Sequence, residues 1–144
     1  MTISYNRLGS NGRLGNQMFQ YASLRGIANY NQYQWMIPPP DCNHRDNYGL
    51  FDTFEMKHCK PENLGFNDGM TITEKTHAFD DSMFYCTDGV NIDSYLQTED
   101  YFVHIADQIH EDFTFKKDYL EPCQEFISSL GSSPIFIHIR QSDN

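Results

Sequence analysis

Apolar residues are distributed along the chain in two rhythms, one suited to strands and one to helices. Ile3 to Tyr5 is a short apolar run of strand type. It leads into a segment whose Gly9, Ser10, Asn11, Gly12 and Gly15 supply the permissive backbone of a tight approach. From Asn16 onward Met18, Tyr21, Ala22 and Ile27 recur at a spacing of about 3.6 residues, which predicts a helix with Asn16 as its N-cap. Trp35-Met36-Ile37 reads as a second buried strand, stopped by Pro38-Pro39-Pro40. Strand, glycine loop, helix and strand in that order open an α/β unit.

Between Asp41 and Asp93 the pattern weakens into short aromatic pieces such as Tyr48 to Phe54 and Phe79 to Cys86. Order returns at Thr98, a cap candidate with Glu99 and Asp100 placed to complement a helix dipole. Phe102, Ile105, Ala106, Ile109 and Phe113 then form an apolar stripe. A further helix is expected over Glu121 to Leu130, with Phe126, Ile127 and Leu130 facing in and Gly131 closing it. Pro134 to Arg140, where Ile135, Ile137 and Ile139 alternate with Phe136, His138 and Arg140, has the period of a strand. Gly131-Ser132-Ser133-Pro134 is the one composition shift that resembles a linker. The expected organisation is therefore an α/β domain over residues 1–133 and the first strand of a second domain over 134–144.

Composition narrows the functional classes. With 144 residues, 39% hydrophobic and 21% charged, the chain has the make-up of one globular domain. No apolar run approaches the roughly 18 to 20 residues that span a bilayer, and Met1 to Tyr5 has no basic leader, so a cytoplasmic protein without a membrane span is expected. Peripheral membrane association is compatible with that expectation. The net charge of −10, with Lys and Arg scattered, leaves no basic face for nucleic acid. Cys42, Cys59, Cys86 and Cys123 contain no Cys-x-x-Cys pair and read as reduced, partly buried thiols. The cluster Cys42, His44, His58 and Cys59 matches no familiar zinc module.

A glycine loop that follows a strand and opens a helix gathers backbone N–H groups at the positive end of a helix dipole, a setting suited to phosphate. Gly9, Gly12 and Gly15 match neither the dinucleotide fingerprint nor a P-loop. The string Gly-Arg-Leu-Gly-Asn-Gln-Met-Phe-Gln-Tyr-Ala over Gly12 to Ala22 nevertheless resembles the opening motif of the family 11 glycosyltransferases, the α-1,2-fucosyltransferases. Asp93 to Phe102 is similar to a later segment of the same family. Ile137 to Asn144 resembles its His-Ile-Arg-Arg-Gly-Asp-Tyr motif, matching at His138, Ile139, Arg140 and Asp143 and departing at Gln141, Ser142 and Asn144.

The resemblance implies a Rossmann-like N-terminal domain of a GT-B-type glycosyltransferase with its second domain largely missing. It implies inverting transfer of fucose from GDP-fucose to the 2-hydroxyl of a galactose-containing acceptor glycan, with no metal cofactor. Arg140 and Asn16 would be catalytic, and Gly12, Gly15, Asn16, Gln17, His138, Arg140 and Asp143 would bind the donor. A guanidinium at Arg140 could answer the charge that grows on the β-phosphate as GDP leaves. The residues alone leave alternatives: Asn16 as a plain N-cap, His138 as a packed core histidine, and Met18, Phe19 and Tyr21 as core. Because the likeness stops at the arginine motif, two forms are expected. One is an active transferase, as part of a longer polypeptide or with a separate chain supplying the missing domain. The other is a non-catalytic glycan-binding or structural α/β remnant.

Overall fold

The computed structural model describes residues 1–42 and 48–139. Among the described residues four short strands form an all-parallel sheet: β1 (Thr2–Ser4), β2 (Gln34–Met36), β3 (Thr71–Ile72) and β4 (Asn91–Ile92), in the spatial order β2-β1-β4-β3. Ile3 and Ile92, on the two central strands, are fully buried. This is a mixed α/β arrangement consistent with a Rossmann-like fold. β1 and β2 lie within a residue of their expected positions. β3 and β4 were not foreseen, because two residues cannot display a period of two.

Helix α1 (Leu14–Asn31) carries the crossover from β1 to β2. Its N-cap is Arg13 rather than Asn16, so Asn16 lies inside the first turn and is not the N-cap expected of it. From Gln17 to Ala28 its side chains are buried around almost the whole circumference, except at Met18 and Phe19. A helix enclosed in this way has no polar stripe, which is why its periodicity in the sequence is faint. Gly26 shows how closely it is covered, since a Cβ there would stand 1.9 Å from the carbonyl oxygen of Tyr101.

That close approach also explains why one helix does not run from Thr98 to Phe113. Thr98 does cap, its side chain accepting from the Asp100 N–H, but it caps a 3-10 turn over Glu99–Tyr101. The chain then breaks at Phe102 (φ −138°, ψ 4°), makes a second 3-10 turn over Val103–Ile105, and forms α3 only over Ala106–Asp112. The break allows Tyr101 to bury its ring while its hydroxyl accepts from the Asp80 N–H at 2.9 Å and donates to Glu74 at 2.9 Å. A four-residue helix α2 (Leu50–Thr53) lies in the Tyr48 to Phe54 piece, and a 3-10 turn (Asp81–Tyr85) in the Phe79 to Cys86 piece.

The chain divides into two compact units, Met1–Thr114 and Phe115–Asn144. The first holds the sheet, α1 to α3 and, among the described residues, every buried core residue. The second contains α4 (Lys117–Ser129), which has Pro122 inside it and no buried residue. Phe126, Ile127 and Leu130 are therefore exposed and not inward-facing. Gly131 adopts φ +65° just beyond the helix, the left-handed conformation expected of a residue that ends one. Residues 134–139 do not form the expected strand. They have no ladder partner among the described residues, and Ile135 is 91% exposed, because period-two alternation makes a strand only where an edge is available to pair. Among the described residues no helix is long and apolar enough to cross a membrane.

Candidate functional site

The carboxyl ends of β1, β3 and β4 point to one side of the sheet, the side on which open α/β sheets bind ligands. A cleft of about 490 Å³ opens there. β1 runs on into Arg7 and Asn11, β3 into Glu74 and Lys75, and β4 into Asp93, Ser94 and Tyr95, and all of these line the cleft.

Its floor is held by hydrogen bonds between loops far apart in sequence. The buried Tyr5 hydroxyl donates to the Ser94 carbonyl at 2.6 Å and accepts from the Asn11 amide at 3.3 Å. Burial pushes the Tyr5 phenol far above the ordinary tyrosine range, so it remains a donor. The Ser94 hydroxyl accepts from the Glu74 N–H at 2.6 Å, and a Glu74 carboxylate oxygen accepts from the Leu96 N–H at 3.0 Å. Leu96, fully buried, is held at φ +52°, a left-handed conformation that costs a non-glycine residue on the order of 1–3 kcal/mol. Across the cleft Arg7 donates to Asp93 at 3.0 Å, an ion pair bridging the loops after β1 and β4.

The glycine loop adjoins this cleft through Asn11. Gly12 has φ +87°, and a Cβ on it would come within 2.3 Å of the Asn16 amide, so the loop can close on α1 only with glycine there. Gln20 donates to the Asn11 carbonyl at 3.0 Å and Gln17 to the Gly12 carbonyl at 3.3 Å, which braces the loop from inside the helix. The Asn16 side-chain oxygen accepts from Gln97 at 2.7 Å.

The chain matches no protein-family model, no curated protein and no solved structure.

Of the residues expected to act together, Gly12, Gly15, Asn16 and Gln17 meet at the start of α1. Gln17 is fully buried, and its side-chain oxygen accepts from the Gly49 N–H at 3.1 Å. Gly15 is helical and exposed, with open space where a side chain would go. His138 belongs to the second unit and is exposed, so it is not a packed core histidine. Arg140 and Asp143, with the departures at Gln141, Ser142 and Asn144, lie outside the described residues, as does His44. Among the described residues no three His, Cys, Asp or Glu side chains are grouped to hold a metal ion.

Arg7, Glu74 and Tyr95 were not foreseen as site residues. Arg7 and Glu74 sit in polar stretches with no period, and only the sheet order brings them together. Gln20, polar yet fully buried, braces the loop.

A second polar cluster lies elsewhere in the same unit. The fully buried Asp112 accepts from the Tyr21 hydroxyl at 2.8 Å, from Arg25, and from the His58 N–H at 2.6 Å. The His58 ring stands 3.1 Å away. Arg25 also lies over the Trp35 ring at 5.6 Å. Every oxygen of Asp112 has a partner within the fold, which marks a structural knot joining α1, α3 and the 56–59 loop.

Proposed function

We propose that the chain carries the acceptor-side α/β domain of a GDP-fucose-dependent α-1,2-fucosyltransferase of GT-B architecture. The observation supporting this reading most directly is that two segments resembling that family, Gly12 to Ala22 and Asp93 to Phe102, are neighbours in the fold. They are joined by the Asn16–Gln97 hydrogen bond and by the edge-on packing of the Phe19 and Phe102 rings, 6.1 Å between centroids. Both adjoin the carboxyl side of a parallel sheet, where the family's chemistry would need its acceptor.

In the proposed reaction the acceptor galactose 2-hydroxyl attacks the anomeric carbon of fucose. A C–O bond forms to the acceptor, the bond to the β-phosphate breaks, and GDP departs with the electron pair while the hydroxyl proton passes to a base. Arg140 would donate to the departing phosphate, an interaction worth about 3 to 4 kcal/mol of barrier for a well-placed donor. Asn16 would sit near the reacting phosphate, and the open surface at Gly15 would allow close approach.

Isothermal titration of the purified chain with GDP-fucose tests the reading. Heat of binding that Arg140→Ala abolishes is expected; no heat at millimolar nucleotide overturns donor recognition by this chain on its own.

A further inference from the structure

We propose that Asn11 and Gly12 form a self-modification site. The Gly12 backbone nitrogen attacks the Asn11 side-chain amide, ammonia leaves, and water opens the resulting ring to aspartate or isoaspartate just before α1. The reaction needs water alone and does not depend on the fucosyltransferase reading.

The sequence singles out the pair. Asn-Gly occurs once in the chain, and every other asparagine with a successor is followed by a residue that carries a side chain. Without a Cβ on Gly12, nothing beside the attacking nitrogen hinders its approach to Asn11 Cγ.

The fold leaves both the nucleophile and its target open. The two residues are partly exposed in a bend between β1 and α1, outside any helix or strand. Among the described residues the Gly12 N–H meets no acceptor. The nitrogens that follow Asn16 and Asn63 differ, since the Gln17 N–H donates to Arg13 at 3.0 Å and the Leu64 N–H to Pro61 at 3.1 Å. Each of those must first open its hydrogen bond. The Asn11 side-chain nitrogen, which has to leave, is tied to the fold by a 3.3 Å bond to the Tyr5 hydroxyl. The peptide between the pair is also activated. Buried Gln20 donates to the Asn11 carbonyl at 3.0 Å. When the Gly12 N–H loses its proton, charge spreads onto that oxygen, so the bond strengthens and favours the anion.

In the first step solvent hydroxide takes the Gly12 proton and the nitrogen lone pair bonds to Asn11 Cγ. The Cγ–Nδ2 bond breaks, and the nitrogen leaves as ammonia with a proton from water. Water then adds to the succinimide: cleavage at Cγ gives aspartate, and cleavage at the main-chain carbonyl carbon gives isoaspartate. Aspartate sets a carboxylate without a proton against the Tyr5 oxygen, whose own proton is committed to the Ser94 carbonyl at 2.6 Å. Isoaspartate lengthens by a methylene the loop that Gly12 closes against Asn16.

The test follows the tryptic peptide 8–13 by mass spectrometry while the full chain is held in mildly alkaline H₂¹⁸O buffer, folded or in urea. Conversion first at Asn11, with ¹⁸O incorporated and ammonia released, is expected. The folded rate should lie within about tenfold of the rate in urea, because attack need not wait for opening. Asn11→Gln, which would have to close a larger ring, should be silent. Gln20→Met, its fold checked by the amide spectrum, should slow the folded chain about fivefold and leave the rate in urea unchanged, the effect of one hydrogen bond. Asn11→Asp should displace the Tyr5 and Ser94 amide resonances. Earlier conversion at another asparagine, or folded-state protection well beyond tenfold, would overturn the site. An unchanged folded rate in Gln20→Met would overturn the activation by Gln20, and unmoved Tyr5 and Ser94 resonances would overturn the link to the cleft floor.

Discussion

The buried hydroxyl of Tyr5 donates a 2.6 Å hydrogen bond to the backbone carbonyl of Ser94, joining the carboxyl ends of β1 and β4 across 89 residues of chain. Tyr5→Phe keeps the ring and removes the donor, leaving a buried carbonyl unpaired. It should cost about 1 to 2 kcal/mol in urea unfolding and loosen Asn11, whose amide donates to the same oxygen.

The phenols of Tyr5, Tyr21 and Tyr101 are all raised, in each case chiefly by burial. A raised folded-state value means that stability is full below the ordinary tyrosine value near pH 10 and is lost above it, because the unfolded chain ionises first. Absorbance titration of the nine tyrosines at 295 nm should leave these three silent until an alkaline unfolding transition releases them together. Smooth ionisation of all nine with the fold intact would contradict the burial of these side chains.

Two glycines of the loop should respond in opposite directions. Gly12→Ala forces a side chain onto φ +87° and into the Asn16 amide, and should destabilise by about 1 to 2 kcal/mol or more. Gly15→Ala meets nothing within 4 Å and replaces glycine in a helix, so it should stabilise by about 0.5 to 1 kcal/mol. If Gly15 keeps the surface open for a phosphate, the same variant should bind GDP-fucose more weakly despite its greater stability. Paired thermal melts and calorimetry separate the two effects.

Asp112→Ala leaves Arg25 buried without its carboxylate and removes the acceptor for Tyr21 and His58. Breaking such a pair should cost about 3 to 5 kcal/mol. The double variant Arg25→Met with Asp112→Leu should recover part of the loss, since no unpaired charge then remains. A double variant no more stable than Asp112→Ala in urea would argue against this account.

Thiol reactivity offers a check on the packing around the same knot. Burial, reinforced by the nearby Asp112 charge, pushes the Cys59 thiol up to about 12, whereas Cys123 is exposed on α4. At pH 8 the thiolate fraction at Cys59 is then about one in ten thousand. Iodoacetamide mapping by mass spectrometry should find Cys123 modified first and Cys59 protected until the chain unfolds.

Residues near one another in the chain made part of this molecule readable from its sequence. β1, the glycine loop, α1 and β2 are set by local apolar runs, glycines and prolines. Thr98 as a cap and Gly131 as a helix end are equally local, because each acts on backbone within a few residues of itself. The sheet beyond β2 was hidden: β3 and β4 are two residues each and gain their identity from pairing with each other and with β1. Pairing decided the opposite way at residues 134–139, where strand-like alternation found no edge among the described residues. The cleft also depends wholly on tertiary structure. Arg7 meets Asp93 and Tyr5 meets Ser94 only because β4 is laid beside β1, and no spacing rule reports contacts made through hydrogen bonds between strands nearly ninety residues apart.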